Sequence, residues 1–278
     1  MSVLDYFKPV TTWTAEQVRS FISDKEDGTY KLLDVRQPEE YERGHLPGAI
    51  LIPVGELDER VSELDRESLT IVYCAAGMRS RAAASILMRA GFEEVYSMSG
   101  GINAWNGAVA DGFPETGIAW FSAAHSGEEL TALAWALEDG TETFYRTMAE
   151  KGGDPEAAEL FRKLVKAEEG HKEMLSVLQR RLSSEGENID FPSVLKGYPP
   201  EKIMEGGMKV KDAVAWAEGK GVKEVVELAI SLETSSYDRY QTLQRRVEYE
   251  ASVQLFKSLA AEEKNHLKLL TDLFEKRL

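Results

Sequence analysis

Apolar residues in the first third of the chain come in short unbroken runs. Lys31–Val35 (KLLDV) and Thr70–Tyr73 (TIVY) are bounded by polar turns, the pattern of strands buried on both faces of a parallel sheet. Glu94–Ser97 (EVYS) predicts a further strand. Between these runs the period lengthens to that of a helix. Thr14–Ser23 has helical spacing, with Thr14 placed as N-cap and Gln17 three residues later to close a capping box. Ser80–Arg89 is rich in Ala, Leu and Met and stops before Gly91, which suits a helix C-cap. The alternation predicts an α/β domain, a small doubly wound parallel sheet flanked by helices.

The pattern changes near 107–127, where Gly, Pro and Ser gather and periodicity lapses. A linker is expected over 113–126, between a sheet domain at 1–112 and a helical domain at 127–278. Beyond it, four long segments carry a helical period with almost no β-branched clusters: 127–151, 154–183, 221–247 and 249–277. A long connection, 184–220, separates the second from the third; it contains Pro192, Pro199 and Pro200, with a short helix expected at 209–218. Four long helices with one long crossover predict an all-α four-helix bundle.

Composition narrows the function classes. The net charge is −15, with 11 basic and 19 acidic residues over 1–118 and 22 and 29 over 119–278. Neither part is basic, which argues against nucleic acid as a partner. No apolar run is long enough to span a bilayer, so no membrane partner is expected. The opening MSVLDYFKPV lacks a basic segment followed by an apolar run, so no signal peptide and a cytoplasmic location are expected. The chain has one cysteine, which excludes an internal disulfide and a Cys-rich metal centre.

That cysteine opens the stretch Cys74–Ser80 (CAAGMRS), between a predicted strand and a predicted helix. A thiol reacts as the thiolate, and its pKa falls at a helix N-terminus and near cations. The backbone N–H groups of Ala75, Ala76, Gly77, Met78, Arg79 and Ser80 would form an anion cradle, with Gly77 giving the tight turn and Arg79 a fixed positive charge. Such a loop suits a persulfide or a sulfur oxyanion; the plain alternative is an inert buried cysteine.

LDVRQPEEYERGHLPGAILIP (33–53), CAAGMRS and GGINAW (100–105) together resemble the rhodanese family over about residues 8–110. The resemblance implies that Cys74 takes a sulfane sulfur from a donor such as thiosulfate or a persulfide, carries it as a persulfide, and passes it to a nucleophile. Four residues separate Cys74 from Arg79. Cysteine phosphatases on the same fold place five there, so the loop favours sulfur, with phosphatase as the alternative. Asp34 and Arg36 either brace the loop or form a surface pair, and His45 in its Gly/Pro turn is expected to fix that turn.

The helical part contains a repeat. LFRKLVKAEEGHKEML (160–175) and LFKSLAAEEKNHLKLL (255–270) share Leu, Phe, Leu, Glu, His and Leu at a shift of 95 residues, and Leu137, Glu138 and Tyr145 meet Leu232, Glu233 and Tyr240 at the same shift. Each half thus has a Glu followed 30 residues later by Glu-x-x-His. Three residues apart, Glu and His share a helix face, and flanking leucines turn that face to the core. A carboxylate there must be paired or ligated. Four Glu and two His in one bundle form the donor set of dinuclear iron or manganese sites. The alternative is solvated helix faces with Glu–Lys pairs, as expected for Glu169, Lys172, Glu173, Lys264 and Lys268.

The pattern resembles the ferritin-like superfamily, and within it the rubrerythrins, over about 125–278. The resemblance implies Glu138, Glu168, His171, Glu233, Glu263 and His266 as metal ligands, two iron ions (or manganese, or a mixed pair), and reaction with peroxide or dioxygen. It also suggests a homodimer. Two departures stand out: the extra Glu common three residues after the third-helix ligand is Ser236 here, and without further cysteines there is no built-in electron relay, so an external reductant is required. Glu142 is either an extra ligand or a surface residue, and Tyr145 and Tyr240 either hydrogen-bond carboxylates or only pack. Three combined readings follow: a bifunctional sulfurtransferase and dimetal redox enzyme, a sulfur carrier joined to an iron-binding or storage bundle, and a sensor.

Overall fold

The apolar runs at 31–35 and 70–73 become adjacent strands of one sheet in the computed structural model, which describes residues 9–112, 126–151, 153–182 and 201–276. The chain divides into two compact units, Met1–Gly112 and Phe113–Leu278. In the first, β1 (Thr11–Thr14), β2 (Tyr30–Asp34), β3 (Ile50–Leu51), β4 (Leu69–Tyr73) and β5 (Val95–Ser99) form a parallel sheet of order β1-β5-β4-β2-β3. The register sets Leu33 beside Val72, and Val72 beside Ser97. The central β4 is buried over its last four residues, as its uninterrupted apolar run demands.

Two strands escape the hydrophobic pattern. β1 is TTWT, mostly exposed, and β3 has only two residues. Both lie at sheet edges, where a strand needs pairing on one side and little apolar area.

Helices α1 (Ala15–Asp24), α2 (Pro38–Glu42), α3 (Leu57–Arg60) and α4 (Met78–Arg89) complete the unit. The capping box at α1 is formed: Gln17 N–H donates to Thr14 Oγ1 at 3.2 Å, and Thr14 N–H to Gln17 Oε1 at 2.8 Å. A core of Leu33, Val35, Val72, Ala83, Ala84 and Leu87 locks α4 onto the sheet. The loop before α4 is thereby fixed at the carboxyl end of the central strand, where open α/β sheets bind ligands.

The second unit has four long helices, α5 (Gly127–Lys151), α6 (Pro155–Leu182), α8 (Val222–Arg246) and α9 (Glu250–Glu275), and the short α7 (Val210–Ala217). Ser126 and Glu129 form a capping box at α5, and Asp154 caps α6 ahead of Pro155. Short connections make α5 pack on α6 and α8 on α9, and α6 also meets α9. Residues 113–125 of the expected linker, and 183–200 of the crossover with Pro192, Pro199 and Pro200, lie outside the described residues.

Two apolar clusters fill the bundle, one around Phe144, Phe161, Leu164, Leu232 and Leu270, the other around Leu175, Tyr240, Phe256 and Leu259. Each long helix passes from one cluster to the other, and the polar residues between them are enclosed at the waist. Lys172 and Lys264 are half-buried rather than solvated. Lys172 reaches Asp139 at 2.7 Å and Glu142 at 2.5 Å, because its position on α6 faces α5.

Candidate functional site

Cys74 follows β4 directly and is buried. The chain then reverses through Ala75–Gly77 and enters α4, with Gly77 at φ 96°, a left-handed conformation that favours glycine. This turn brings the Gly77 N–H to 3.1 Å from Cys74 Sγ, and the Cys74 S–H points to Ser80 Oγ at 3.7 Å. Burial pushes the thiol pKa up, but the N–H groups of Ser80, Gly77 and Ala76 and the Ser80 hydroxyl outweigh it and leave it below the ordinary thiol value. Ala76 and Met78 stand exposed at the rim.

The GGINAW segment holds this turn from behind. Ile102 N–H donates to the Cys74 carbonyl at 2.8 Å and Asn103 N–H to the Ala75 carbonyl at 3.1 Å. A Cβ at Gly101 would fall 2.1 Å from the Cys74 carbonyl oxygen, so only glycine admits the approach. Ser80 Oγ is tied to Ser97 Oγ at 3.0 Å.

Arg79 makes a two-pronged ion pair with Glu40, at 2.6 and 2.7 Å, and its charge also acts on Cys74. Glu40 was not among the residues singled out from the sequence; it stands 39 positions away, and only the folded sheet brings α2 beside α4. Asp34 and Arg36 are a buried pair rather than a surface one, and Arg36 also donates to the Gly44 carbonyl at 2.7 Å. His45 is buried, stacks on Tyr41 and contacts the Tyr41 carbonyl at 3.0 Å, which fixes the turn.

At the bundle waist, Glu138, Glu168, His171, Glu233, Glu263 and His266 are all buried and converge. Their donor atoms form two groups, Glu138, Glu168, His171 and Glu263, and Glu168, Glu233, Glu263 and His266, each with its atoms within 4.8 Å of one another. Glu168 and Glu263 belong to both groups, the placement a bridging carboxylate requires. His171 Nδ1 lies 3.0 Å from Glu168 and 3.2 Å from Glu263, and His266 Nδ1 lies 3.1 Å from Glu233 and 3.2 Å from Glu263. The two imidazoles stack with centroids 5.5 Å apart.

Four carboxylates in so small a volume repel one another, and protons offset that charge. Burial, reinforced by Glu138, raises the Glu168 carboxyl well above the usual range, and burial with Glu263 lifts Glu233 to about 8. For Glu263 burial acts upward, but its contacts with Glu233, His171 and His266 hold it low. His266 rises to about 10 despite burial because Glu233 and Glu263 flank it, and His171 rises for the same kind of reason. Glu263 Oε1 meets His171 Nδ1 at 3.2 Å as an ion pair and is buried without a geometrically aligned hydrogen bond among the described residues. An acid-rich, dry set of oxygens and imidazoles fits hard or borderline divalent cations.

The tyrosines cross between halves. Tyr145 donates to Glu233, and Tyr240 to Glu138, so each donates to the other half's carboxylate rather than merely packing. Glu142 is engaged by Arg146 and Lys172 and stands outside both donor groups. The sequence reading did not single out Glu262, whose carboxylate meets His171 Nε2 at 3.1 Å and orients the ring. Its position in the other half is Ala167, so the repeat gave no signal for it.

Comparison with known proteins agrees with both halves. The rhodanese-like domain family matches residues 14–108, and the rubrerythrin family matches residues 106–179 and 224–278. YrkF of Bacillus subtilis (strain 168) is 38% identical over 81 residues, 29% of this chain and 44% of that protein. The thiosulfate sulfurtransferase GlpE of Pseudoalteromonas translucida (strain TAC 125) is 39% identical over 88 residues, 32% of this chain and 82% of that protein. The crystal structure of a rhodanese-related protein from Thermoplasma volcanium shares 34% identity with a TM-score of 0.31, covering 34% of this chain and 89% of that one. The chain thus spans less than half the length of YrkF and most of GlpE. No helix among the described residues is long and apolar enough to cross a membrane. By its likeness to GlpE and by the two family matches, the chain belongs to the rhodanese-like family in its N-terminal part and carries a rubrerythrin-family region in its C-terminal part.

Proposed function

We propose that residues 1–112 form a sulfurtransferase domain, that residues 127–278 form a dimetal redox domain, and that the chain is a bifunctional cytoplasmic enzyme working as a homodimer. The observation that carries the sulfur half is the Gly77 N–H 3.1 Å from Cys74 Sγ, inside a turn whose other N–H groups also lower the thiol pKa. The Cys74 thiolate attacks the outer sulfur of a donor such as thiosulfate. A bond forms between Cys74 Sγ and that sulfur as the donor S–S bond breaks, and sulfite leaves with the electron pair. The N–H groups of Ala76, Gly77 and Ser80 hold the persulfide's charge, and Arg79, steadied by Glu40, draws the anionic donor to the rim. An acceptor thiolate then takes the outer sulfur and releases the Cys74 thiolate. The likeness to GlpE, a thiosulfate sulfurtransferase, supports thiosulfate as the donor class.

The two donor groups sharing Glu168 and Glu263 carry the metal half. Glu138, Glu168, His171 and Glu263 would hold one ion, and Glu168, Glu233, Glu263 and His266 the other, with iron first and manganese or a mixed pair as variants. Such a pair, when bound, supplies the two-electron reduction of peroxide or dioxygen, fed by an external reductant. The chain's own part is to keep the waist dry between the two apolar clusters and to hold Glu138 and Glu233 through Tyr240 and Tyr145. A Cys74 persulfide is readily oxidised, and consumption of oxidant by the same chain protects it.

Metal analysis of the purified protein after anaerobic iron loading tests the metal half, with Glu168→Ala/His171→Ala beside it. About two ions per chain, lost in the variant, are expected; no metal in the wild type overturns the dimetal reading. Thiosulfate-dependent sulfur transfer, absent in Cys74→Ser, tests the other half.

A further inference from the structure

Among the described residues of the helical unit, three buried acids, Glu142, Glu205 and Asp238, stand outside the repeated positions. Glu205 lies on the crossover between α6 and α8, in a single helical turn, Glu205–Gly207, and is 1% exposed. The segment presses on α5 at Gly140, where a Cβ would fall 2.1 Å from the Ile203 carbonyl oxygen. Glycine inside a helix costs about 1 kcal/mol relative to alanine, so this close approach is a structural demand. The Glu205 N–H donates to Thr141 Oγ1 at 3.2 Å, one turn beyond Glu138. On the other side the turn meets α8: Gly206 lies beside Ser235, and the Glu205 carboxylate pairs with the buried Arg239, next to Tyr240, which holds Glu138. Glu205 is therefore wedged between the two helices that supply Glu138 and Glu233.

Only one of its oxygens is used. Arg239 takes Oε2, while Oε1 is buried with no partner among the described residues. Ser236, one turn after Glu233 on the same helix, likewise has a buried Oγ without a partner. The charges of Glu138 and Glu263 act on Glu205, and the charge of Glu205 acts on Tyr240, so the acid faces the cluster electrostatically. A buried carboxylate with a free oxygen, acted on by the charges of Glu138 and Glu263, is costly unless a cation meets it. Glu205 stands outside both four-residue donor groups, but unlike Glu142 it keeps a buried oxygen without a partner among the described residues. The geometry points to it as a seventh, outlying donor of the waist, a crossover-borne carboxylate whose free oxygen serves a cation on the side of Glu138. This inference rests on the dimetal reading. Arg239 then has a defined part: it holds Glu205 in place and balances its charge before a cation enters.

Anaerobic Fe²⁺ titration for stoichiometry and affinity, with the visible spectrum of Co²⁺-loaded protein as a probe of coordination, tests this on the full chain. Glu205→Gln alone removes a buried charge that Arg239 pairs with, so Glu205→Gln/Arg239→Met and Arg239→Met are measured with it. Two ions in the wild type, one of them bound at least tenfold more weakly with altered Co²⁺ bands in the double variant, and a smaller loss in Arg239→Met, which removes the brace but keeps the Glu205 oxygen, are expected. Wild-type affinity and bands in the double variant would overturn the inference and make Glu205 a mere counter-ion of Arg239. Glu205→Asp, which keeps the charge and withdraws the oxygen by one methylene, reads the same way where the double variant does not accumulate. A wild type that takes up no iron removes the dimetal reading itself, a failure distinct from loss of the Glu205 role alone.

Discussion

Around Cys74 the groups that meet a developing charge belong to the backbone: N–H groups of a turn, held by glycines at positions 77 and 101 and by hydrogen bonds from 102 and 103. At the bundle waist they are side chains, four carboxylates and two imidazoles carried on straight helices. The first site is complete as folded, because its dipoles are aimed before any ligand arrives. The second is a surplus of negative charge that protons offset, with Glu233 lifted to about 8 and His266 to about 10. A site made of backbone is broken by adding a methyl group; a site made of charged side chains is broken by changing the count of charges.

Cys74→Ser should break the contrast most sharply. Sulfur transfer is expected to fall on the order of a thousandfold or more, while metal per chain stays at the wild-type value by elemental analysis. Gly101→Ala comes next. Its Cβ collides with the Cys74 carbonyl at a residue whose φ is +56°, and a loss of about 2–4 kcal/mol in the N-terminal unit is expected from denaturant midpoints. Intact sulfur transfer in that variant would show that the turn tolerates rearrangement.

Tyr145→Phe and Tyr240→Phe probe the other side. Each deprives a buried carboxylate of its donor, and metal affinity by titration is expected to drop about tenfold, with sulfur transfer unchanged. The smallest effect is Glu40→Gln. The Glu40–Arg79 pair is about a third exposed, so solvent screening limits its contribution to under about 1 kcal/mol. Arg79 holds the Glu40 carboxyl at about 2, below its ordinary 4.5. The stabilising charge is thus fully present above the ordinary value and is lost as pH falls through about 2. The stability difference between wild type and variant should be constant near neutrality and vanish in strong acid, with KM for thiosulfate raised a few-fold at pH 7. A difference that grows on acidification would contradict the pairing.

Much of both regions was legible because their signals are local or repeated. A buried strand is an apolar run, a capping box is a spacing of three, and Glu-x-x-His occurs twice at one offset. Edge strands β1 and β3 were missed because pairing on one side demands no apolar run. Glu40, Glu262 and Glu205 were missed for another reason: each meets its partner across 34 to 91 positions, and none lies in a repeated motif. Lys172 was misjudged because one helix alone shows neither Asp139 nor Glu142 waiting on the next.

The crossed tyrosines bear on how the helical unit comes into being. With Tyr145 bound to Glu233 and Tyr240 to Glu138, neither hairpin supplies the tyrosine that holds its own first carboxylate. Each hairpin thus lends the other one hydrogen-bond donor, and the docking of the two completes the set of contacts at the waist.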